Sequence, residues 1–258
     1  MKLPRSFTLA LLATLALAGP LAARQPWQWS GRVDPGDAIE IKGINGGIRA
    51  VASDDSEVRV SATKNARRSD PDEVRFDVVR HSGGTTICAV YPDRRGTNEC
   101  RPGEAGRMNV QNNDVQVDWI VQVPRGVDFV GRTVNGGIEA DGLPADADAH
   151  TVNGTIRITA AGIARAVTVN GNIEVVMGRA SWTGELRFET TNGSITASFP
   201  GDFNAHVSAS TVNGDIETDF PLEVRGRFGP RRVSGTIGSG GRDLSLNTVN
   251  GSISIRRR

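Results

Sequence analysis

The sequence predicts an all-β chain: a parallel β-solenoid of stacked rungs, preceded by a β section that caps its first coil. Three observations predict it. A unit Thr-Val-Asn-Gly-x-Ile recurs at a near-constant interval, 31 glycines punctuate the chain, and only 13 of 258 residues are aromatic (four Trp, one Tyr, eight Phe). A core with so few rings must be built from Val, Ile, Leu and Ala in many short runs, which suits strands better than long helices.

The repeat is centred on Asn45-Gly46, Asn135-Gly136, Asn153-Gly154, Asn170-Gly171, Asn192-Gly193, Asn213-Gly214, Ser234-Gly235 and Asn250-Gly251. From Asn135 to Asn250 the steps are 18, 17, 22, 21, 21 and 16 residues, a length that fits one turn of a solenoid. Ile stands three residues after the Asn in every copy (Ile48, Ile138, Ile156, Ile173, Ile195, Ile216, Ile237, Ile253) and reads as an inward column. Thr stands two before it at 133, 151, 168, 190, 211 and 248, with Gly43 and Arg232 as exceptions, and reads as an outward ladder. Asn-Gly supplies two residues tolerant of positive φ and reads as a corner. Asn45, Asn135, Asn153, Asn170, Asn192, Asn213 and Asn250 then form a structural corner ladder. The competing architecture is an antiparallel meander, because Asn-Gly is also a hairpin turn.

The chain opens with Lys2 and Arg5, an apolar run through Leu9–Leu12 and Leu15–Ala18, and the small-residue end Leu21-Ala22-Ala23. That pattern reads as a secretory signal peptide over 1–23, followed by a linker over 24–36. Residues 37–130 are expected to form an N-terminal β section, with strands near 37–48, 57–63, 74–81, 85–91 and 115–123 and a loop over 64–72. Residues 131–258 hold the repeats. In an oxidising compartment the only two cysteines, Cys88 and Cys100, read as a disulfide. It closes an excursion through Pro92, Asp93, Arg94, Arg95, Gly96, Thr97 and Asn98.

With 30 Lys and Arg against 29 Asp and Glu, no overall field points to nucleic acid or to an anionic membrane. The terminal Arg256-Arg257-Arg258 reads as a guard on an exposed edge strand, the alternative being attraction to anionic lipid. His81, His150 and His206 lack metal-ligand spacing, and the run Leu143–Asp148 lacks the ligand count of a calcium loop. No cofactor is expected. The best catalytic candidates are the alternating carboxylates Asp215, Glu217 and Asp219, with Glu185 and Glu189 expected nearby in the preceding coil.

The strand Val121-Gln122-Val123-Pro124-Arg125-Gly126-Val127, leading into Thr133-Val134-Asn135-Gly136-Gly137-Ile138 and its serial copies, resembles the bacterial putative-adhesin domain family, whose molecular function is unassigned. The resemblance covers roughly 37–258. It implies a right-handed β-solenoid-like fold in exported or membrane-tethered bacterial proteins and carries over no catalytic residue. The function expected is an exported, non-enzymatic binding or structural module of the cell envelope, periplasmic or at the surface, with a protein or glycan partner. A carbohydrate-active β-helix enzyme is the alternative.

Overall fold

The computed structural model describes residues 26–258 apart from 94, 95, 97, 107 and 225–230. The signal peptide read over 1–23 lies outside the described residues, as do Arg94, Arg95 and Thr97 of the excursion.

The N-terminal section comprises β1 (Trp27–Gly31), β2 (Ala38–Lys42), β3 (Ile48–Ala52), β4 (Val58–Asn65), β5 (Arg75–His81), β6 (Gly84–Val90) and β7 (Gln116–Val123). The repeats follow as β8 (Asp128–Arg132), β9 (Ile138–Leu143), β10 (Ala147–His150), β11 (Ile156–Ala160), β12 (Ala164–Val167), β13 (Ile173–Met177), β14 (Glu185–Glu189) and β15 (Ile195–Phe199). The C-terminal part holds β16 (Ala205–Ser210), β17 (Ile216–Thr218), β18 (Leu222–Val224), β19 (Arg232–Ile237), β20 (Asp243–Asn247) and β21 (Ile253–Arg257). They form two facing sheets. Sheet A runs β1-β4-β7-β3-β9-β11-β13-β15-β21-β17, and sheet B runs β18-β19-β16-β20-β14-β12-β10-β8-β2-β6-β5.

Each coil is one strand in sheet B, an Asn-Gly corner and one strand in sheet A. Pairing between coils is parallel, as a solenoid requires and a meander forbids. Ile48, Ile138, Ile156, Ile173, Ile195, Ile253 and Ile216 pair in unbroken register, and the first six are no more than 2% exposed. Burying such a column supplies about 2 kcal/mol per side chain before chain entropy is counted.

The scarce aromatics gather mainly at the ends. Trp27, Phe76 and Trp119 pack with ring centroids 4.6 to 6.4 Å apart beside the first coil. Phe203 stacks on Phe199 at 4.3 Å and meets Phe220 and Trp182 at 5.2 and 5.9 Å near the last. Large rings thus gather beside the first coil and near the last ones, and small aliphatic side chains fill the column between.

Four expectations are corrected. Residues 27–31, assigned to a linker, form β1, because Trp27 has Phe76 and Trp119 to pack on and β4 to pair with. The solenoid does not begin at 131: β2, Asn45 and β3 form its first coil, and the segment between Ser53 and Val123 folds around that coil as a cap. The Ser234 copy is no corner. It lies within β19, antiparallel to β16 and β18, so Ile237 faces Ala205 and Leu222 and leaves the Ile column. Finally, coil order departs from sequence order, since β20 and β21 insert between the coil of β14 and β15 and the coil of β16 and β17. Arg256-Arg257-Arg258 therefore guard no edge, because β21 is flanked on both sides.

Candidate functional site

The corner is built from one bond network per coil. Each Asn Nδ2 donates to the Asn Oδ1 of the neighbouring coil, from Asn135 to Asn45 at 2.9 Å and on through Asn153, Asn170, Asn192 and Asn250 to Asn213 at 2.7 to 2.8 Å. Tyr91 meets Asn45 at the first rung, and burial pushes its hydroxyl up to about 12. The Tyr91 hydroxyl donates to Val115 O at 2.8 Å.

The Thr column points inward, against expectation. Thr133, Thr151, Thr168, Thr190, Thr211 and Thr248 are at most 5% exposed. Each hydroxyl donates to a Gly carbonyl of the adjacent coil, as Thr151 does to Gly136 at 2.9 Å and Thr248 to Gly193 at 2.8 Å. A buried hydroxyl is tolerated because it is bonded, and it satisfies a carbonyl the sheet ladders leave over. The Gly of the corner is required by close approach: a Cβ on Gly154 would run into the carbonyl of Gly136, and one on Gly171 into that of Gly154. Positive φ is adopted at Gly46, which turns at 117°.

Cys88 and Cys100 are bonded, with Cα atoms 5.7 Å apart. The segment that follows Cys100 is held against sheet B by Glu40 and Lys42. Glu40, 5% exposed, accepts from Arg132 Nε at 2.9 Å, Thr86 Oγ1 at 2.8 Å and the Gly103 amide at 2.9 Å. Lys42 Nζ donates to the carbonyls of Arg101, Gly103 and Ala105 at 2.9, 2.7 and 2.7 Å. Burial lowers the Lys42 pKa, partly opposed by the charge of Glu40. These groups are spent on anchoring.

The carboxylates considered for catalysis do not converge. Asp215, Glu217 and Asp219 lie on or beside β17 in sheet A, whereas Glu185 and Glu189 lie on β14 in sheet B. The reason is that each coil splits between the two sheets, so the outward side chains of β14 and of β17 belong to different faces, and the coil next to β17 is moreover the C-terminal one. Arg256 bridges Glu217 at 2.6 Å and Asp219 at 3.1 Å. The Asp219 carboxyl is held below its usual range, first by the Arg257 amide and then by the Arg256 side chain. Glu185 is likewise lowered by its bond from Arg187. Depressed carboxyls of this kind are poor proton donors. His150 sits 2.8 Å from Asp148, His81 and His206 contact Thr86 and Thr236, and among the described residues no three ligating side chains are placed to hold a metal. In the run Leu143–Asp148, Asp146 accepts from the Ile163 amide and Arg179.

What the outward faces do offer is a shallow groove of about 560 Å³ on sheet A, over β1, β4 and β7. Its floor is Ile120, 51% exposed, ringed by Gln28, Ser30, Arg59, Ser61 and Gln122. A second depression of about 430 Å³ continues past Ile120 to Arg49, Glu139 and Arg157. There the charges alternate along the row, Arg49 with Glu139 at 3.6 Å and Arg157 with Glu174 at 3.1 Å. Sequence reasoning missed this groove, although Ile120 breaks the outward polar run Gln116, Asp118, Gln122.

Parallel coils joined at a Thr-Asn-Gly corner and closed at the first coil by a β cap define a β-solenoid repeat protein. The chain belongs to the Toastrack DUF4097 family, which matches residues 104–256, more than half its length. The family's function is unassigned. No curated protein matches the chain. Two similar solved structures are a "putative cell adhesion protein" from Clostridium sporogenes and a "putative adhesin" from Bacteroides fragilis. The first is 13% identical with a TM-score of 0.43, covering 91% of this chain and 100% of its own. The second is 14% identical with a TM-score of 0.35, covering 90% and 97%. Among the described residues no helix is long and apolar enough to cross a membrane.

Proposed function

We propose that this protein is an exported, non-enzymatic, adhesin-like binding module of the bacterial cell envelope, and that it contacts a protein or glycan partner through the outer face of sheet A around Ile120. The observation that carries the reading is the exposed Ile120 at the centre of a groove ringed by amide, hydroxyl and guanidinium groups. An apolar anchor inside a polar rim is the usual anatomy of a binding surface. The Thr hydroxyls, expected to face outward, are withdrawn into the interior and leave this face as the better candidate. The Cys88–Cys100 disulfide accords with an oxidising compartment, as does the leader-like N-terminal sequence.

The test is co-sedimentation of the purified chain with envelope fractions, namely sacculi, outer-membrane vesicles and whole cells. Ile120→Glu combined with Arg59→Glu should reduce retention about tenfold or more while the melting temperature stays close to that of the parent, because both side chains face solvent. Unchanged retention would remove this face from consideration.

A further inference from the structure

We infer that the free edge of β17 is a docking edge for an extended segment of another protein, one in which basic side chains alternate with β-branched ones, added parallel to sheet A. This surface is separate from the Ile120 groove and does not depend on it.

The non-sequential coil order puts β17 at the end of sheet A. At the opposite end Ile48 is covered by Trp119 on β7, and the matching end of sheet B carries the hairpin of β18 and β19. Ile216 has no such cover among the described residues and is the one half-exposed member of an otherwise buried column. The backbone of alternate residues is already committed to the C-terminal coil: Asn213 O accepts from Gly251, Asp215 O from Ile253, and Asp219 N donates to Ile255 O, at 2.8 to 2.9 Å. In a parallel ladder the intervening residues point the other way, so the amides of Gly214, Ile216 and Thr218 face the open edge. The asparagine ladder stops in the same sense: Asn213 donates to Asn250, and among the described residues no further asparagine rung follows it.

Charge selects the partner. Asp215, Glu217 and Asp219 alternate outward along this edge, and Arg256 on the flanking strand already reaches Glu217 at 2.6 Å and Asp219 at 3.1 Å. A strand added on the open side places its outward side chains beside the same carboxylates, where basic groups are favoured and acidic ones repelled. Its inward side chains stack on Ile216. A second copy of this chain fits poorly through sheet A, since its β17 edge repeats the same carboxylates and its β1 edge reads Trp-Gln-Trp-Ser-Gly and brings no cation. Strand addition of this kind draws affinity from backbone bonds and specificity from alternate side chains.

The probe is a labelled peptide, Thr-Val-Asn-Gly-Lys-Ile-Lys-Ile-Lys, titrated into the chain by fluorescence polarisation, with amide hydrogen exchange as the positional readout. Saturable binding is expected, with slowed exchange at Ile216 and Thr218 and affinity reduced about tenfold by Thr218→Pro, which deletes one edge donor without touching the pairing with β21. Should that variant fail to fold, Asp215→Lys serves instead: it should weaken the lysine peptide and favour one whose lysines are replaced by glutamates. A scrambled peptide binding equally well, or unchanged exchange at both amides, overturns the inference. So does a dimer of the chain alone that Thr218→Pro dissolves, because that outcome assigns the edge to a second copy.

Discussion

The hydroxyl of Thr151 donates a 2.9 Å hydrogen bond to the carbonyl of Gly136 in the adjacent coil, and Gly154, three residues after Thr151, lies against that same carbonyl with no room for a side chain. One carbonyl thus fixes two positions of the repeat. Asn is fixed by the ladder of amides and Ile by the buried column, so each recurrent letter of the unit answers to a contact between coils.

Thr151→Val keeps the shape of the side chain and removes its donor. The Gly136 carbonyl loses that partner, and stability should fall by about 1 to 2 kcal/mol in urea unfolding. Val152, its neighbour, is 38% exposed, and Val152→Thr should change stability by about 0.5 kcal/mol or less.

Gly154→Ala places a methyl group against backbone that cannot rotate away. The loss should be about 3 kcal/mol or more, read as a fall in melting temperature or as failure to fold. Gly142, with a φ of 62° and open space around it, is a control in which strain arises from backbone conformation alone.

Ile173 is fully buried between Ile156 and Ile195. Ile173→Asp sets an unpaired carboxylate in that column and should unfold the chain at neutral pH, as monitored by circular dichroism. An unchanged melting temperature would be incompatible with the inward assignment.

Tyr91 makes stability depend on alkaline pH. Its hydroxyl titrates near 10 in the unfolded chain and at about 12 when folded, so the unfolded state releases its proton first. Stability should therefore decline as pH rises from about 10 to 12, by about 2 to 3 kcal/mol in total. Tyr91→Phe should be less stable at neutral pH and lose that part of the decline, measured by chemical unfolding at a series of pH values.

The Ile column, the corners and the parallel stack were legible because they repeat. The direction of Thr was not. A hydroxyl two residues before a corner reads as outward, and only the stacked backbone reveals a carbonyl waiting for it. Coil order was illegible for a related reason: near-identical rungs accept one another in any order, so nothing local tells Asn250 to settle between Asn192 and Asn213. The departure at Ser234 was more readable. That copy lacks both the Asn and, at Arg232, the Thr, and without those two bonds it has no means of forming a corner. Glu40 and Arg132, 92 positions apart, gave no sequence sign of their pairing, and Ile120 gave one that alternation alone could have flagged.

The order of the coils matters most, since it creates the open edge at β17. It is tested by disulfide trapping between outward positions. Thr196 pairs with Ser254, and Ser254 with Glu217, so Thr196 and Glu217 stand two strands apart, about 10 Å. Thr196→Cys with Ser254→Cys should cross-link readily under mild oxidation, whereas Thr196→Cys with Glu217→Cys should not, being beyond disulfide reach. The reverse result, cross-linking only in the second pair, would mean that the coils stack in sequence order and would contradict this architecture.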